Sequence, residues 1–458
     1  MARPASLSGF PEWLPEQRIV EQHVLDTLRR TFELWGIASI ETRAVEPLEQ
    51  LLSKGEVDKE VYVVRRLHAD PADPSEGADG SRQLALHFDL TVPLARYVLE
   101  NAGRLQFPFR RYQIQKAWRG ERPQEGRFRE FLQADVDVVG LGELPFHHEV
   151  ELPLVMADAL TALRDVGLPA FTIQVNNRKV AEGFYRGLGL ADPVAVLRIV
   201  DKLDKVGPAE VARTLREQAG ADERQAQACL DLAAIRTPDA SFVDRVRALG
   251  VEHPVLDEGL TELARVVEAA TEHAPGVLVA DLRIARGLDY YTGTVYETVL
   301  DGHPDLGSIC SGGRYDALVS DGRTTYPGVG LSIGVSRLVS RLLRDGLARS
   351  TRSVPTCVLV AVPDEKRRAE CDRVAGRLRR RGIPVEVAPA AAKYGKQIRH
   401  ADRRGIPFVW FPGDDGAGTP DQVKDIRSGD QTDADADTWQ PPAEDLHPRV
   451  VPGAAPTA

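Results

Sequence analysis

The sequence predicts an α/β protein of two or three domains, and three stretches carry that expectation. Phe109 to Val139 alternates in the manner of a long β-hairpin. Roughly Asn176 to Pro275 is rich in Ala, Leu, Arg and Glu and reads as mostly helical. Toward the C-terminus, apolar runs at Val358–Val362, Val385–Val387 and Phe408–Phe411 are separated by helical patterns at Glu365–Arg381 and Lys393–Arg404. Strands alternating with helices imply parallel strands in an α/β layer. At 458 residues the chain exceeds the usual size of one domain.

Taken along the chain, the first signal is the alternating run Leu84 to Phe88, which ends in Asp89-Leu90-Thr91-Val92-Pro93. Asp-x-Thr with proline in the first turn is an ordinary helix start, and a contact to a ligand is the alternative. The hairpin follows, with Phe109 to Glu121 outbound, a loop over Arg122 to Gly126, and a returning strand from Phe128 to Val139. Phe131, Gln133, Asp135 and Asp137 share one face of the return strand, and Leu132, Ala134, Val136 and Val138 share the other. The second set belongs to a core. The first is a solvated outer face or the wall of a polar pocket, since burying two carboxylates and an amide requires partners. Arg119 and Glu121 share a face near the mouth of the hairpin. A planar guanidinium suits bidentate phosphate contact, a carboxylate can accept from an exocyclic amine, and a phenyl ring can stack on a purine.

Beyond the helical region, Arg286-Gly287 reads as a turn and Tyr290 to Val299 as the strand it feeds, followed by Ser311-Gly312-Gly313-Arg314-Tyr315-Asp316. A cation, two phenols and a carboxylate beside glycines suit a pocket for a small polar molecule, although paired tyrosines on a strand also serve simple packing. Gly328-Val329-Gly330-Leu331-Ser332-Ile333-Gly334 is a glycine-spaced strand running into a helix that carries Ser336 and Arg337. Gly-Ile-Pro recurs at Gly382 and Gly405, ending a helix and opening a strand each time. No glycine-rich dinucleotide fingerprint follows the C-terminal strands.

Composition narrows the class. Hydrophobic residues make up 43% and charged residues 28%, as in a soluble globular protein, and no apolar stretch is long enough to span a bilayer. Met1 to Pro15 lacks the basic and apolar regions of a secretory signal, so a cytoplasmic location is expected. Cys229, Cys310, Cys357 and Cys371 have no metal-like spacing and are expected to be reduced thiols. A net charge of −10 does not exclude a nucleic-acid partner, because phosphate binding depends on local patches. Arg377, Arg379, Arg380, Arg381, Lys393, Lys396, Arg399, His400, Arg403 and Arg404 form such a concentration, which is either a solvated helix face or a binding surface.

The Arg286–Glu297 and Ser311–Asp316 segments resemble the two signature motifs of histidyl-tRNA synthetases, and the hairpin resembles the second motif of class II aminoacyl-tRNA synthetases, including Arg119-x-Glu121 and Arg127-Phe128-Arg129-Glu130-Phe131. Gly328 to Leu338 resembles the third class II motif, Arg18 to Pro47 the first, and the C-terminal region, with Lys393-Tyr394-Gly395-Lys396-Gln397, the anticodon-binding domain of several class II enzymes. The resemblance implies an α+β catalytic domain on an antiparallel sheet, a helical insertion and a C-terminal α/β domain. It divides the chain into 1–175 and 276–345 for the catalytic core, 176–275 for the insertion, 346–355 for a linker, 356–440 for the anticodon-binding domain and 441–458 for a flexible tail.

The same resemblance implies site roles. Arg286 and Arg119 would be catalytic. Asp89, Leu90, Thr91, Gln133, Asp137, Tyr290 and Tyr291 would bind histidine, and Arg119, Glu121, Phe131, Arg286 and Arg337 would bind ATP. Arg122 and Gln124 would face the tRNA acceptor end. ATP with Mg²⁺ held mainly through its phosphates, L-histidine and tRNA(His) are the implied reactants, and a homodimer is the implied assembly, with no membrane or DNA partner. No protein metal ligand is assigned. Ser336 stands where the family usually has an acidic residue, and His87 where an arginine is common. A different class of function also has this general pattern, the synthetase-like regulatory subunits of histidine biosynthesis, which bind histidine without charging tRNA. Those usually lack the C-terminal domain and lose phosphate-binding arginines, whereas Arg119, Arg286 and Arg337 are all present here. A synthetase-like tRNA sensor fused to a kinase would need kinase motifs that this sequence lacks.

Overall fold

The computed structural model describes residues 5–52, 61–67, 83–124, 126–284, 291–320, 322–413 and 418–453. Asp70–Ser81, whose Pro, Gly, Asp and Ser content predicts a surface loop, lies outside the described residues, as do Arg286 and Tyr290. The chain divides into two compact units. One runs from Val24 to Arg341 with the residues up to Pro11, apart from Asp165–Gly167; the other takes those three residues, Glu12–His23 and everything from Leu342 onward.

Among the described residues of the first unit twelve strands form two sheets. They are β1 (Ala38–Ser39), β2 (Val45–Pro47), β3 (Val63–Val64), β4 (Leu84–Leu86), β5 (Phe109–Trp118), β6 (Glu130–Val139), β7 (Phe171–Asn177), β8 (Arg236–Thr237), β9 (Leu278–Asp281), β10 (Thr294–Leu300), β11 (Ser308–Tyr315) and β12 (Gly328–Gly334). A nine-stranded sheet has the order β1-β5-β6-β12-β11-β10-β7-β9-β8, and β2-β4-β3 make a small second sheet. Among the described residues only the β1–β5 and β7–β9 pairings of the large sheet are parallel, so it is predominantly antiparallel. The predicted hairpin is its β5–β6 pair, in register from Phe109 opposite Val139 to Trp118 opposite Glu130.

Asn176 and Asn177 finish β7, so the helices begin at Arg178. Asn177 caps that first helix by accepting from the Lys179 N–H. The Pro254–His273 helix closes against it, and Gly183 and Gly259 make the approach possible: a Cβ on Gly259 would lie 2.6 Å from the Val180 nitrogen. One short strand, β8, interrupts the helical region and edges the sheet.

The second unit holds β13 (Ala348–Ser350), β14 (Val358–Val360), β15 (Val385–Val387), β16 (Phe408–Phe411), β17 (Gln422–Asp425), β18 (Gln431–Asp433) and β19 (Val450–Pro452). β15-β14-β16 are parallel as expected from their βα alternation, and β17 and β18 extend the sheet antiparallel. Gly382 and Gly405 sit at φ of +80° and +70° after the Arg368–Arg380 and Tyr394–Asp402 helices, the left-handed helix-ending conformation expected of Gly-Ile-Pro. Two expectations change here. The stretch expected as a linker contains β13, which pairs with β19, and residues 441–453, within the expected flexible tail 441–458, carry the Ala443–Leu446 helix and β19. The tail is fixed by long-range groups that local composition does not display: Arg427 binds both carboxylate oxygens of Asp445, and Arg352 donates to the Asp445 carbonyl.

All four cysteines are buried and free, and burial pushes the thiols of Cys229, Cys310 and Cys357 up to about 12. Among the described residues no helix is long and apolar enough to cross a membrane.

Candidate active site

Directly paired residues of antiparallel strands project to the same side of a sheet. The registers therefore place Arg111 of β5, Gln133, Asp135 and Asp137 of β6, Ser332, Gly330 and Gly328 of β12, and Ser311, Gly313 and Tyr315 of β11 on one face. The face predicted from alternation in β6 is thus correct, and its solvated reading is not: Gln133, Asp135 and Asp137 are all buried. Glycines clear the space above the sheet. A Cβ on Gly330 would lie 2.0 Å from Asp137 Oδ1, and one on Gly328 would lie 2.4 Å from the Tyr315 ring.

Two adjoining cavities open on this face and share Ser311 and Ser332. The larger, about 300 Å³, is lined by Arg119, Glu121, Phe131, Gln133 and Arg337 of the predicted set, with Gly126, Ser308 and Gly334 among its other walls. The smaller, about 30 Å³, is lined by Thr91, Asp135, Asp137, Tyr291 and Tyr315 with Gly330 at its edge.

Each group has a definite anchor. Arg119 donates through Nε to the Phe88 carbonyl at 3.0 Å, and its guanidinium carbon lies 5.1 Å from the centre of the Phe131 ring. Arg337, in the first turn of the Val335–Arg344 helix, donates to the carbonyls of Gly126 and Ser308, which draws the hairpin tip and β11 to the same cation. Ser336 on that turn accepts from the Leu132 N–H at 2.8 Å, so the residue that departs from the family pattern ties the helix to β6. His87 lies with Nε2 2.6 Å from the Lys116 carbonyl, which requires the Nε2–H tautomer, and its ring faces Trp118.

Asp137 is shared between the Tyr315 hydroxyl, which donates at 2.8 Å, and the fully buried Arg111, 2.7 Å away. Gln133 donates to Ser332 at 2.7 Å, and Ser332 donates to Asp135. The Oε1 atom of Gln133 is buried without a hydrogen-bond partner among the described residues. Burial pushes the Asp135 carboxyl up to about 7; the Arg111 cation and the Ser332 bond pull it down, while Asp137 and Asp89 push it further up.

The remaining predicted residues fall as follows. Asp89 Oδ1 accepts from the Val92 N–H at 3.1 Å, the helix-start role, at the head of the helix whose Thr91 lines the smaller cavity. Leu90 is fully buried, and its side chain packs. Arg122 and Gln124 are exposed at the hairpin tip, where Gln124 and Arg127 exchange two backbone hydrogen bonds. Tyr291 is held through its carbonyl by Arg178 at 2.7 Å. Sequence reasoning left Asp135, Ser332, Arg111 and Tyr315 without roles. Asp135 was accessible from the alternation, but the other three become neighbours only through strand register.

Residues 9–338 match the histidyl-tRNA synthetase family, and residues 356–438 match the anticodon binding domain family. The chain belongs to the histidyl-tRNA synthetase family. It is 65% identical to the histidine–tRNA ligase of Micrococcus luteus over 98% of this chain and 99% of that one. Against the histidine–tRNA ligase of Cutibacterium acnes it is 61% identical, again over 98% and 99%. Among solved structures, histidyl-tRNA synthetase from Nostoc sp. PCC 7120 superposes with a TM-score of 0.82 at 36% identity, covering 94% of this chain and 97% of its own. An ATP phosphoribosyltransferase regulatory subunit/histidyl-tRNA synthetase from Bacillus halodurans shares the fold at 19% identity and a TM-score of 0.69. The expected fold class therefore holds for this family member in both its parts.

Proposed function

We infer that this chain ligates L-histidine to tRNA(His) with ATP, through histidyl-adenylate. The observation that carries the reading is full-length identity of 65% to a histidine–tRNA ligase, joined to a polar cavity on the sheet face. In the first step the histidine carboxylate attacks the α-phosphorus of ATP and diphosphate leaves. In the second, the tRNA 3′-terminal hydroxyl attacks the activated carbonyl and AMP leaves.

The residues divide between the cavities. The larger one suits ATP: Arg119 and Arg337 are its cations, Glu121 its acceptor for an exocyclic amine, and Phe131 a face for the purine. The smaller suits the amino acid, with Thr91, Asp137 and Tyr291 around it and the unpaired acceptor of Gln133 beside it. Asp89 and Leu90 act through the helix start that presents Thr91. Arg286 and Tyr290 complete the pocket on the strength of the family motif, with Arg286 stabilising charge on the α-phosphate. Arg122 and Gln124, exposed on the hairpin tip, contact the tRNA acceptor end. Among the described residues no cluster of three His, Cys, Asp or Glu could hold a metal ion, and Mg²⁺ enters with ATP as MgATP. Homodimerisation and a cytoplasmic location belong to the same proposal and rest on the family.

Histidine-dependent ATP–pyrophosphate exchange without tRNA tests the reading. Exchange with histidine and no other standard amino acid is expected. Histidine binding without exchange would instead point to a regulatory protein that does not charge tRNA.

A further inference from the structure

In the large sheet β7 lies between β9 and β10, parallel to the first and antiparallel to the second. The end of β9 and the start of β10 therefore both fall beside the last residues of β7, and the chain that joins them carries Arg286 and Tyr290. Two residues where β7 turns into the next helix hold that connection. Asn176, buried, donates through Nδ2 to the carbonyls of Leu282 at 3.2 Å and Ile284 at 2.8 Å, ahead of the motif. Arg178 donates through its guanidinium to the Tyr291 carbonyl at 2.7 Å and through its backbone N–H to the Gly293 carbonyl at 2.9 Å, behind it. Asn177, between them, caps the Arg178–Gly187 helix and donates to Glu262 of the Pro254–His273 helix at 2.8 Å, which fixes the junction itself.

The placement of both side chains is costly unless these bonds are made. A buried amide needs acceptors for its hydrogens, and those of Asn176 are two carbonyls of one short stretch. A cation in the first turn of a helix works against the helix dipole, so Arg178 is not placed there for the helix's sake. Neither residue is among those that line the two cavities. We propose that Asn176 and Arg178 are positioning residues for adenylate formation, which bracket the motif at Ile284 and Tyr291 and so set where the Arg286 guanidinium stands against the α-phosphate. The inference rests on the reading of Arg286 as the cation that stabilises charge on that phosphate. A catalytic group displaced by about 1 Å can cost on the order of 100-fold in rate.

The test is a double-mutant cycle on single-turnover formation of histidyl-adenylate, with the full chain in excess over labelled ATP at saturating histidine. Arg178→Met removes the donor to Tyr291 and keeps the aliphatic stem. Alone it should lower the rate about 10- to 100-fold, with the KM for ATP in exchange within about threefold of wild type. In an Arg286→Ala background the same substitution should change the rate by less than about twofold, because the group it positions is gone. A role confined to stability would slow both backgrounds alike. Equal slowing in the two backgrounds, or a rate for Arg178→Met alone within about twofold of wild type, would overturn the proposal. Asn176→Ala removes the donors at the other end of the motif and gives a second, independent cycle, both cycles being run below the melting transition of every variant as read by circular dichroism. Coupling to Arg286 is expected in both, and a residue whose cycle is additive drops out of the proposal. Arg286→Ala with the wild-type rate would bring down the reading of Arg286 and this inference with it. A slow Arg286→Ala beside two additive cycles removes only the inference.

Discussion

A Cβ on Gly330 would lie 2.0 Å from the Asp137 carboxylate, so alanine there must push Asp137 away from Tyr315 and Arg111. Gly330→Ala should therefore raise the KM for histidine by about tenfold or more and affect the KM for ATP less, since the larger cavity does not include Gly330. Exchange kinetics check this, and an unchanged KM for histidine would remove Asp137 from the site. Asp135 has a stability consequence of its own. Its folded-state value of about 7 lies above the 3.8 of a free side chain, so the native state keeps the proton across that window. This contribution is complete below about 4 and is lost as pH rises through 7, with an upper limit of roughly 4 kcal/mol. Asp135→Asn should accordingly stabilise the protein more at pH 8 than at pH 5, read as the shift in urea midpoint between variant and wild type. The placement of these residues was legible in part. Alternation alone put Gln133, Asp135 and Asp137 on one face, but Ser332 lies 197 residues from Asp135, and no local pattern announces such a partner.

Between elements, a buried network beside the site starts from the His147–Ala162 helix, for which the sequence suggested no part. Its Glu149 is buried and accepts from the backbone and hydroxyl of Thr294 at the start of β10, pairs with Arg314 of β11 at 2.8 Å, and accepts at its carbonyl from Tyr296. Arg314 in turn holds Asp316, and Asp316 accepts from Thr292. Burial would push the Arg314 guanidinium down, and Glu149 and Asp316 overcome that and raise it. This network fixes the strand that follows the Arg286–Tyr290 motif. Glu149→Ala leaves the partly buried Arg314 with only Asp316 and the Leu144 carbonyl, takes the acceptor from Thr294, and should cost about 1–3 kcal/mol. Glu149→Gln, which keeps an acceptor for Thr294, should cost less. Urea unfolding followed by tryptophan fluorescence distinguishes them; equal, small effects would mean that water replaces the pair. The strands themselves were readable from β-branched and aromatic content. The helix that locks them was not, because its partners are 145 and 165 residues away in the chain.

At the scale of the molecule, the second unit has its own core around the fully buried Trp410, Leu359 and Leu378, and its three parallel strands were legible from apolar runs between helices. β17 and β18 were not, because Gln422–Asp425 and Gln431–Asp433 carry few apolar residues, and β18 is the polar, exposed edge of the sheet. The basic run reads differently once its partners are known. Arg377 pairs with Asp435 and Asp437, Arg404 with Glu386, and Arg381 and Arg379 donate to backbone carbonyls. Lys393, Lys396, Arg399 and Arg403 remain exposed without an ion pair among the described residues, on and beside the Tyr394–Asp402 helix. Lys396, Arg399 and Arg403 follow one another at helical spacings of three and four, which puts them along one side. With Arg380, likewise exposed at the end of the Arg368–Arg380 helix, these charges rather than the ten counted in the sequence are the ones left for a phosphate partner. Replacing Lys396, Arg399 and Arg403 together by alanine should weaken tRNA binding and lower the slope of log affinity against log salt by about 2–3, at roughly 0.7–1 for each phosphate no longer neutralised. Histidine-dependent exchange, which needs no tRNA, should be unchanged. A filter-binding titration at several salt concentrations measures the slope. A triple variant with the wild-type slope would mean that the helix face is merely solvated and that cations elsewhere, such as the exposed Arg122, account for the electrostatic part of recognition.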